Sequence, residues 1–267
     1  MPLAVCATPI GNLDDVTLRV LEELRAADLI LCEDTRHTRV LLERHGLTGK
    51  RLLSYHEHNE AKRGAEVLPR LEAGERVALV SDAGMPGISD PGARLVAGAL
   101  ARAVPVTVLP GPTAVETALV ASGFPADRYQ FVGFLPRAAG ALASLWEELE
   151  DWPYPVVAFE SPQRVPTTLR SLAEADPDRR VAVCRELTKR FEEVVVGTAS
   201  ELAARFGQSP KGEITLVLGP GRKAHENEGA VEAVAELVAA GLARRRAAEV
   251  VSRLTGVPRN ELYRRTL

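Results

Sequence analysis

Short apolar runs rich in β-branched residues alternate along the chain with segments whose apolar positions recur at helical spacing. The runs are Leu3–Thr8, Asp28–Cys32, Arg51–Tyr55, Arg76–Ser81 and Val104–Leu109, with amphipathic segments such as Thr17–Ala26, Asn59–Ala73 and Ala93–Ala103 between them. Strands separated by helices of this length predict a mostly parallel sheet with helices on both faces. The proline-marked joint Leu109-Pro110-Gly111-Pro112 interrupts the alternation and reads as a domain boundary. It then resumes, with strand-like runs at Gln130–Phe134, Pro155–Glu160, Arg180–Cys184, Glu193–Gly197 and Glu213–Leu218. Helical segments accompany them at Thr113–Ser122, Leu142–Glu150, Pro166–Ala175 and Ser200–Phe206.

From about Glu228 the strand pattern is gone. Ala230–Ala240 and Arg244–Leu254 read as helices, Thr255-Gly256-Val257-Pro258 as a turn and Arg259–Arg265 as a short third helix. This is the helix-turn-helix outline; a helical cap on the second domain is the alternative. In the second helix Arg245, Glu249 and Ser252 share a polar stripe, whereas Ala247, Val250, Val251 and Leu254 form the expected packed face. Three domains are expected: an N-terminal α/β domain over 1–112, a C-terminal α/β domain over 113–222, and a basic helical domain over 228–267.

Length and composition agree with that division. The 267 residues, 46% hydrophobic and 26% charged, suit a soluble globular protein of about two domains and an appendage. No apolar stretch reaches the ~18 residues of a membrane span. The N-terminus has neither a basic region nor a cleavable apolar stretch, so a cytoplasmic location is the expectation. Cys6, Cys32 and Cys184 lie singly in apolar runs, as buried thiols do, without the spacing of a disulfide framework or zinc site. The formal net charge of −3 gives no global basic field, but it conceals a split. Residues 241–267 hold seven arginines against two glutamates, a net of +5 on a body of −8. Arg244, Arg245, Arg246, Arg253 and Arg259 are the candidate RNA contacts.

In open α/β sheets ligands bind outside the carboxyl ends of the strands, and the segments there are polar and glycine-rich. Thr8-Pro9-Ile10-Gly11-Asn12 follows the first strand, Glu33-Asp34-Thr35-Arg36-His37 the second, and His56-Glu57-His58-Asn59 the third. The fourth gives Ser81–Gly92, with three glycines and two aspartates. That loop reads as one whose glycines let a ligand approach the backbone, although turn chemistry alone accounts for the same residue types. No Gly-x-Gly-x-x-Gly or P-loop is present, which disfavours nucleotide triphosphate chemistry. His56-x-His58 would set both imidazoles on one face of a strand, but a third ligand at suitable spacing is missing, so no metal is assigned. No Gly-x-Ser-x-Gly elbow exists for a serine nucleophile. Glu33, Asp34 and Glu160 with Arg36, Arg164 and Arg185 also read as plain ion pairs.

Taken together, Ala7–Asp15, Glu33–Thr38, Ser81–Gly92, Glu160-Ser161-Pro162-Gln163-Arg164, Arg185-Glu186-Leu187-Thr188-Lys189 and Lys211-Gly212-Glu213 resemble the ribosomal RNA small subunit methyltransferase I group of the tetrapyrrole methylase (class III methyltransferase) superfamily. The resemblance covers essentially the whole chain. Met85 stands where Thr is usual, and Gln163 where His is usual. The implied fold is two α/β domains of that type plus a small C-terminal helical domain, with the cofactor between the α/β domains and a homodimer as the usual assembly. The implied reaction moves a methyl group from S-adenosylmethionine to the ribose 2′-hydroxyl of a cytidine in 16S ribosomal RNA of the small subunit. Cofactor contacts are expected at Pro9, Gly11, Asp82, Ala83, Gly84, Met85, Ser89, Thr113, Ala114, Phe159, Glu213 and Ile214.

The sulfonium leaving group needs no metal, whereas a ribose hydroxyl needs positioning and a base or a nearby cation. Glu33, Asp34, Glu160 and Glu186 are the candidate bases, and Arg36, Arg164 and Lys189 the candidate cations. Two rivals stay open: a precorrin-type tetrapyrrole methyltransferase and a non-catalytic RNA-binding protein. The basic tail and the first-strand loop weigh against the first, and the strand-end clusters against the second.

Overall fold

The computed structural model describes residues 2–266, apart from the side chains of residues 222–228 and 261. The chain folds into two compact units. One holds Met1–Ala121 with Cys184–Val194 and Gly212–Thr215; the other holds Ser122–Val183, Val195–Lys211 and Leu216–Leu267.

In the first unit, strands β1 (Leu3–Cys6), β2 (Leu29–Cys32), β3 (Leu52–Ser54), β4 (Val77–Leu79) and β5 (Val106–Leu109) form a sheet in the order β3-β2-β4-β1-β5. Every pairing in it is parallel. Strands β1, β2 and β4 are buried along their full length, which is why they read as unbroken apolar runs rather than alternations.

The two sides of each strand serve different helices. Leu3, Val5, Leu29, Leu31, Val77 and Leu79 pack on helices α3 (Glu60–Glu72) and α4 (Ala93–Leu100) through Val67, Leu68, Leu71, Leu95 and Ala99. The alternate positions Ala4, Cys6, Ile30, Cys32, Ala78 and Val80 meet Val20 and Leu24 of α1 (Leu18–Ala26) and Leu42 of α2 (Thr35–Arg44). Helix α5 (Ala114–Ser122) follows β5. The three thiols are buried and unbridged, and burial pushes Cys6 and Cys184 up to about 12.

The second sheet has the order β6-β7-β10-β8-β9, from β6 (Gln130–Phe134), β7 (Val156–Glu160), β8 (Arg180–Arg185), β9 (Glu193–Thr198) and β10 (Ile214–Leu218). Helices α6 (Ala139–Leu149), α7 (Val165–Ala175) and α8 (Ala199–Arg205) intervene along the chain. Strands β6 and β7 are parallel, with a register shift between Phe131 and Phe134 where Gly133 takes φ +69°.

The C-terminal segment is three helices, α9 (Arg222–Ala239), α10 (Arg244–Thr255) and α11 (Arg259–Arg265). They close on a core of their own: Ala230, Val234, Ala247, Ala248, Val251, Val257 and Leu262. Gly256, at φ +78°, ends α10 in the left-handed conformation that sets up the turn. Leu254 departs from the expected packed face. It is 81% exposed, and Ala248 occupies the buried position instead.

Candidate functional site

Strands β1 and β4 are neighbours, yet the chain leaves them toward opposite faces, for α1 and for α4. Their carboxyl ends therefore open a crevice, the usual ligand position in open α/β sheets. Backbone pairing fixes its lip. Thr8 N–H donates to Gly84 O at 2.8 Å, Gly84 N–H donates back to Thr8 O at 3.0 Å, and the buried Thr8 hydroxyl donates to Ser81 O at 3.0 Å.

Gly84 is glycine for its φ of +79°, because an added Cβ would find only ordinary contacts at 3.6 and 3.8 Å, the latter with Pro112 O. Pro9, Asp82, Ala83, Gly84, Met85 and Ser89 thus stand at one end of this sheet, with Thr113 and Ala114 directly after Pro112. Ser89 sits at φ +60°, a conformation that is uncommon for a residue with a side chain.

Carboxylates crowd this end. Glu33 Oε1 accepts from Asp82 N–H at 3.2 Å, Asp82 Oδ1 accepts from Asp34 N–H at 3.1 Å, and His37 Nδ1 lies 3.2 Å from Asp82 Oδ2. Burial pushes the Glu33 carboxyl upward, and the charge of Asp82 adds to this. Asp90 is pushed up to about 7 by burial, then by Glu33 and Asp82. Asp90 lies in the loop that the sequence singled out, but only its place under the Glu33 and Asp82 charges marks it as part of the site.

Asp34 is different. It caps α2 by accepting from Arg36 N–H at 2.8 Å and chelates the Arg36 guanidinium, which holds its carboxyl far below the usual range. Arg36 is 84% exposed along its side chain, so this pair is a solvent-facing one.

The raised Asp90 has a stability consequence. An unfolded aspartate titrates near about 4, so between that pH and about 7 the fold holds a proton that the unfolded chain has lost. Stability of the native protein therefore falls as pH rises through this window. Asp90→Asn is expected to raise Tm at pH 7.5 clearly more than at pH 4.5, as read by thermal unfolding. Equal shifts at the two pH values would mean that Asp90 has an ordinary acidity in the fold.

The first unit also gathers residues far apart in sequence. Lys189 Nζ lies 3.0 Å from Glu186 Oε1 and 2.9 Å from Glu213 Oε2, and Glu213 N–H donates to Glu186 Oε1 at 2.9 Å. That N–H, helped by Lys189, holds the Glu186 carboxyl below its ordinary value. The same loop lies against the first-strand turn. Asn12 N–H donates to Thr188 Oγ1 at 3.0 Å, and a Cβ on Gly11 would fall 2.5 Å from Lys189 Cγ and 2.8 Å from Leu187 O. Gly11, expected as a cofactor contact, is accordingly required by this close approach of the chain to itself.

In the second unit, the Glu160 carboxylate has no exposed surface. It accepts from Ser161 N–H at 2.7 Å and from the Thr168 hydroxyl at 2.6 Å, and Arg164 Nη1 stands 3.3 Å away. Arg164 donates in turn to Leu135 O at 3.0 Å and to Pro136 O. Glu160 and Arg164, expected as a base and a stabilising cation, stand in one network that ties the end of β7 to the start of α7 and to the segment after β6. Phe159 packs edge-on against Phe131 and Phe134 at 5.0 and 5.5 Å, and Ile214 is buried at the start of β10. His56 and His58 follow β3 in a turn rather than lying on a strand face, with rings edge-on at 5.9 Å. Of the tail arginines, Arg245, Arg246, Arg253 and Arg259 are exposed and Arg244 is half-buried.

Residues 2–203 match the family model of the tetrapyrrole (corrin/porphyrin) methylases, and residues 225–267 match that of the RsmI C-terminal HTH domain. The chain is 43% identical to ribosomal RNA small subunit methyltransferase I of Mesorhizobium japonicum over 268 residues, 99% of this chain and 91% of that protein. Over 217 residues it is 46% identical to the protein of the same name from Thermotoga maritima, covering 81% of this chain and 97% of that one. Among solved structures, uroporphyrin-III C-methyl transferase from Thermus thermophilus, complexed with S-adenosylhomocysteine, aligns with a TM-score of 0.56 at 20% identity, over 81% of this chain and 96% of that one. That last likeness is one of fold. No helix among the described residues is long and apolar enough to cross a membrane.

Proposed function

The chain belongs to the tetrapyrrole (corrin/porphyrin) methylase family, and on that footing we propose that it is an S-adenosylmethionine-dependent methyltransferase acting on the ribose 2′-hydroxyl of a cytidine in 16S ribosomal RNA. The substrate is held in the small ribosomal subunit, and the working form is a cytoplasmic homodimer. The domain limits that go with this reading are 1–112, 113–222 and 228–267. The observation that carries it is the 43% identity with a small subunit RNA methyltransferase along 99% of the chain, basic tail included.

The chemistry of the site agrees. When bound, S-adenosylmethionine supplies an electrophilic methyl group on a sulfonium, so the residues of this chain have only to bind, orient and accept a proton. A donor bearing both a sulfonium and an ammonium suits an end of the sheet where Glu33, Asp82 and Asp90 crowd together. The 82–85 backbone, with Pro9, Ser89, Thr113 and Ala114, holds the donor from the first unit. Glu213 and Ile214 add contacts from the same unit, and Gly11 keeps the 187–189 backbone close; Phe159 is the candidate contact on the second unit.

Lys189, fixed by Glu186 and Glu213, presents a cation that favours an ionising hydroxyl. Glu33, which accepts from Asp82 N–H and whose carboxyl burial pushes upward, is the base of this cluster. Asp34 and Arg36 act as a pair at the rim.

The test is transfer of a labelled methyl group to 30S subunits, to naked 16S RNA and to a uroporphyrinogen-type substrate, followed by nucleoside analysis. Label in 2′-O-methylcytidine from the 30S arm is the expected result. Label on the tetrapyrrole would install the precorrin-type rival, and cofactor binding without any transfer would leave an RNA-binding protein.

A further inference from the structure

The reading above uses Gly11 and Lys189 from one concave surface of the first unit and leaves the rest of that surface unassigned. A shallow, open depression of about 420 Å³ lies between the first-strand loop and the turn after β8. Its walls include Asn12, Arg44, Thr188, Lys189 and Arg190. Arg44 and Lys189 already face carboxylates, Asp14 at 2.8 Å and the Glu186–Glu213 pair. Arg190 is exposed and makes no ion pair among the described residues. Its guanidinium lies 5.5 Å over the ring of Phe191, which nevertheless stays 65% exposed.

A large aromatic side chain left in solvent beside an uncommitted arginine is the composition of a base-stacking platform. The turn that presents it is held firmly. Thr188 takes φ +63°, its hydroxyl accepts from Asn12 N–H, and its own N–H donates to Glu192. Backbone strain maintained by that many contacts is a mark of a working loop. The chain as a whole is acidic, so a polyanion needs a local cationic landing point near the first-unit site.

We propose that Arg190 and Phe191 form a docking platform for single-stranded RNA, with Phe191 stacking a base that flanks the modified nucleotide and Arg190 holding the adjoining phosphate. The inference rests on the proposed RNA substrate and adds the surface that receives it. Lys189, one residue before the platform, links that surface to the cluster assigned to the reacting hydroxyl.

The test uses full-length Phe191→Trp, titrated with a short cytidine-containing oligoribonucleotide and, in parallel, with inorganic phosphate, against the same titrations of the native chain with Trp146 and Trp152. Quenching by RNA but not by phosphate, seen only in the variant, is the expected result. Phe191→Ala is expected to raise KM for the RNA substrate about tenfold, and far more than it lowers kcat, with Phe191→Tyr restoring it. RNA binding by the native chain, with no quenching in the Phe191→Trp variant and an unchanged KM in Phe191→Ala, would overturn the platform alone, and so would equal quenching by phosphate. A native chain that neither binds RNA nor methylates 30S subunits would overturn the parent reading, and the platform with it.

Discussion

Replacing Glu160 with alanine is expected to cost about 3–5 kcal/mol of stability, the range for breaking a buried ion pair by removing one partner. The loss has three identifiable parts. Arg164, three-quarters covered along its side chain, loses its counter-charge. The buried Thr168 hydroxyl loses its acceptor, and the Ser161 N–H loses the oxygen 2.7 Å away. Each buried polar group left unsatisfied costs roughly 1–3 kcal/mol. Glu160→Gln keeps an oxygen for one of the two donors and is expected to cost roughly half as much. Thermal unfolding should register the alanine variant as a fall in Tm of about 10 °C or more. A change within about 2 °C would mean that the 160–168 network contributes nothing measurable.

That network also shows how far the sequence reaches. Glu160-Ser161-Pro162-Gln163-Arg164 has the look of an exposed, reactive strand end, and nothing in those five residues announces that the carboxylate is fully enclosed. Enclosure comes from Thr168 one turn into α7 and from the Leu135 and Pro136 carbonyls, which Arg164 reaches. Gly11 teaches the same lesson across a longer span. Its lack of a side chain answers to Leu187, Thr188 and Lys189, some 176 positions away, and no local pattern encodes that meeting.

Each of the ten runs carries a strand, several ending a residue or two earlier than the run; for β1, β2, β4 and β10 the physical reason is burial along the full strand, which makes short unbroken apolar runs. Helix α2 was harder to see, because Thr35–Arg44 buries only Thr38, Leu41 and Leu42 and its opening residues are polar. Helix α9 begins at Arg222, eight residues before the apolar periodicity does. Asp90 stands in the glycine-rich loop, but its weakened acidity comes from burial first and then from Glu33, which lies at a different strand end.

Removing the segment after Asn227 is expected to spare S-adenosylmethionine binding, weaken binding to the ribosomal substrate and flatten its salt dependence. The cut falls inside α9 and leaves its first residues, Arg222–Asn227, on the second unit. It removes an apolar core drawn from the tail's own helices and the turn after α10. The tight junction at Gly221, where an added Cβ would fall 2.2 Å from Glu150 O, lies before the cut and is kept.

What leaves with the segment is seven arginines and five glutamates, which shifts a chain of −3 to one of −5. The loss of local field is larger than that difference, because Glu228, Glu232 and Glu236 all belong to α9 and the +5 is concentrated in residues 241–267. Arg246 and Arg253 share Glu249 at 3.0 and 4.0 Å, but exposed pairs of that kind are worth little and exchange readily for phosphate. Arg245 and Arg259 are exposed as well, whereas half-buried Arg244 is the least available of the five candidates. If three of these arginines contact phosphates of single-stranded RNA, the slope of log affinity against log salt falls by about 2 on truncation. Filter-binding or anisotropy titrations at several salt concentrations, run on the full-length and truncated chains, measure that slope directly. A structural cap without RNA contacts predicts a less stable second unit and identical slopes. Identical slopes would therefore leave the tail a packing element and return the whole of RNA recognition to the first unit.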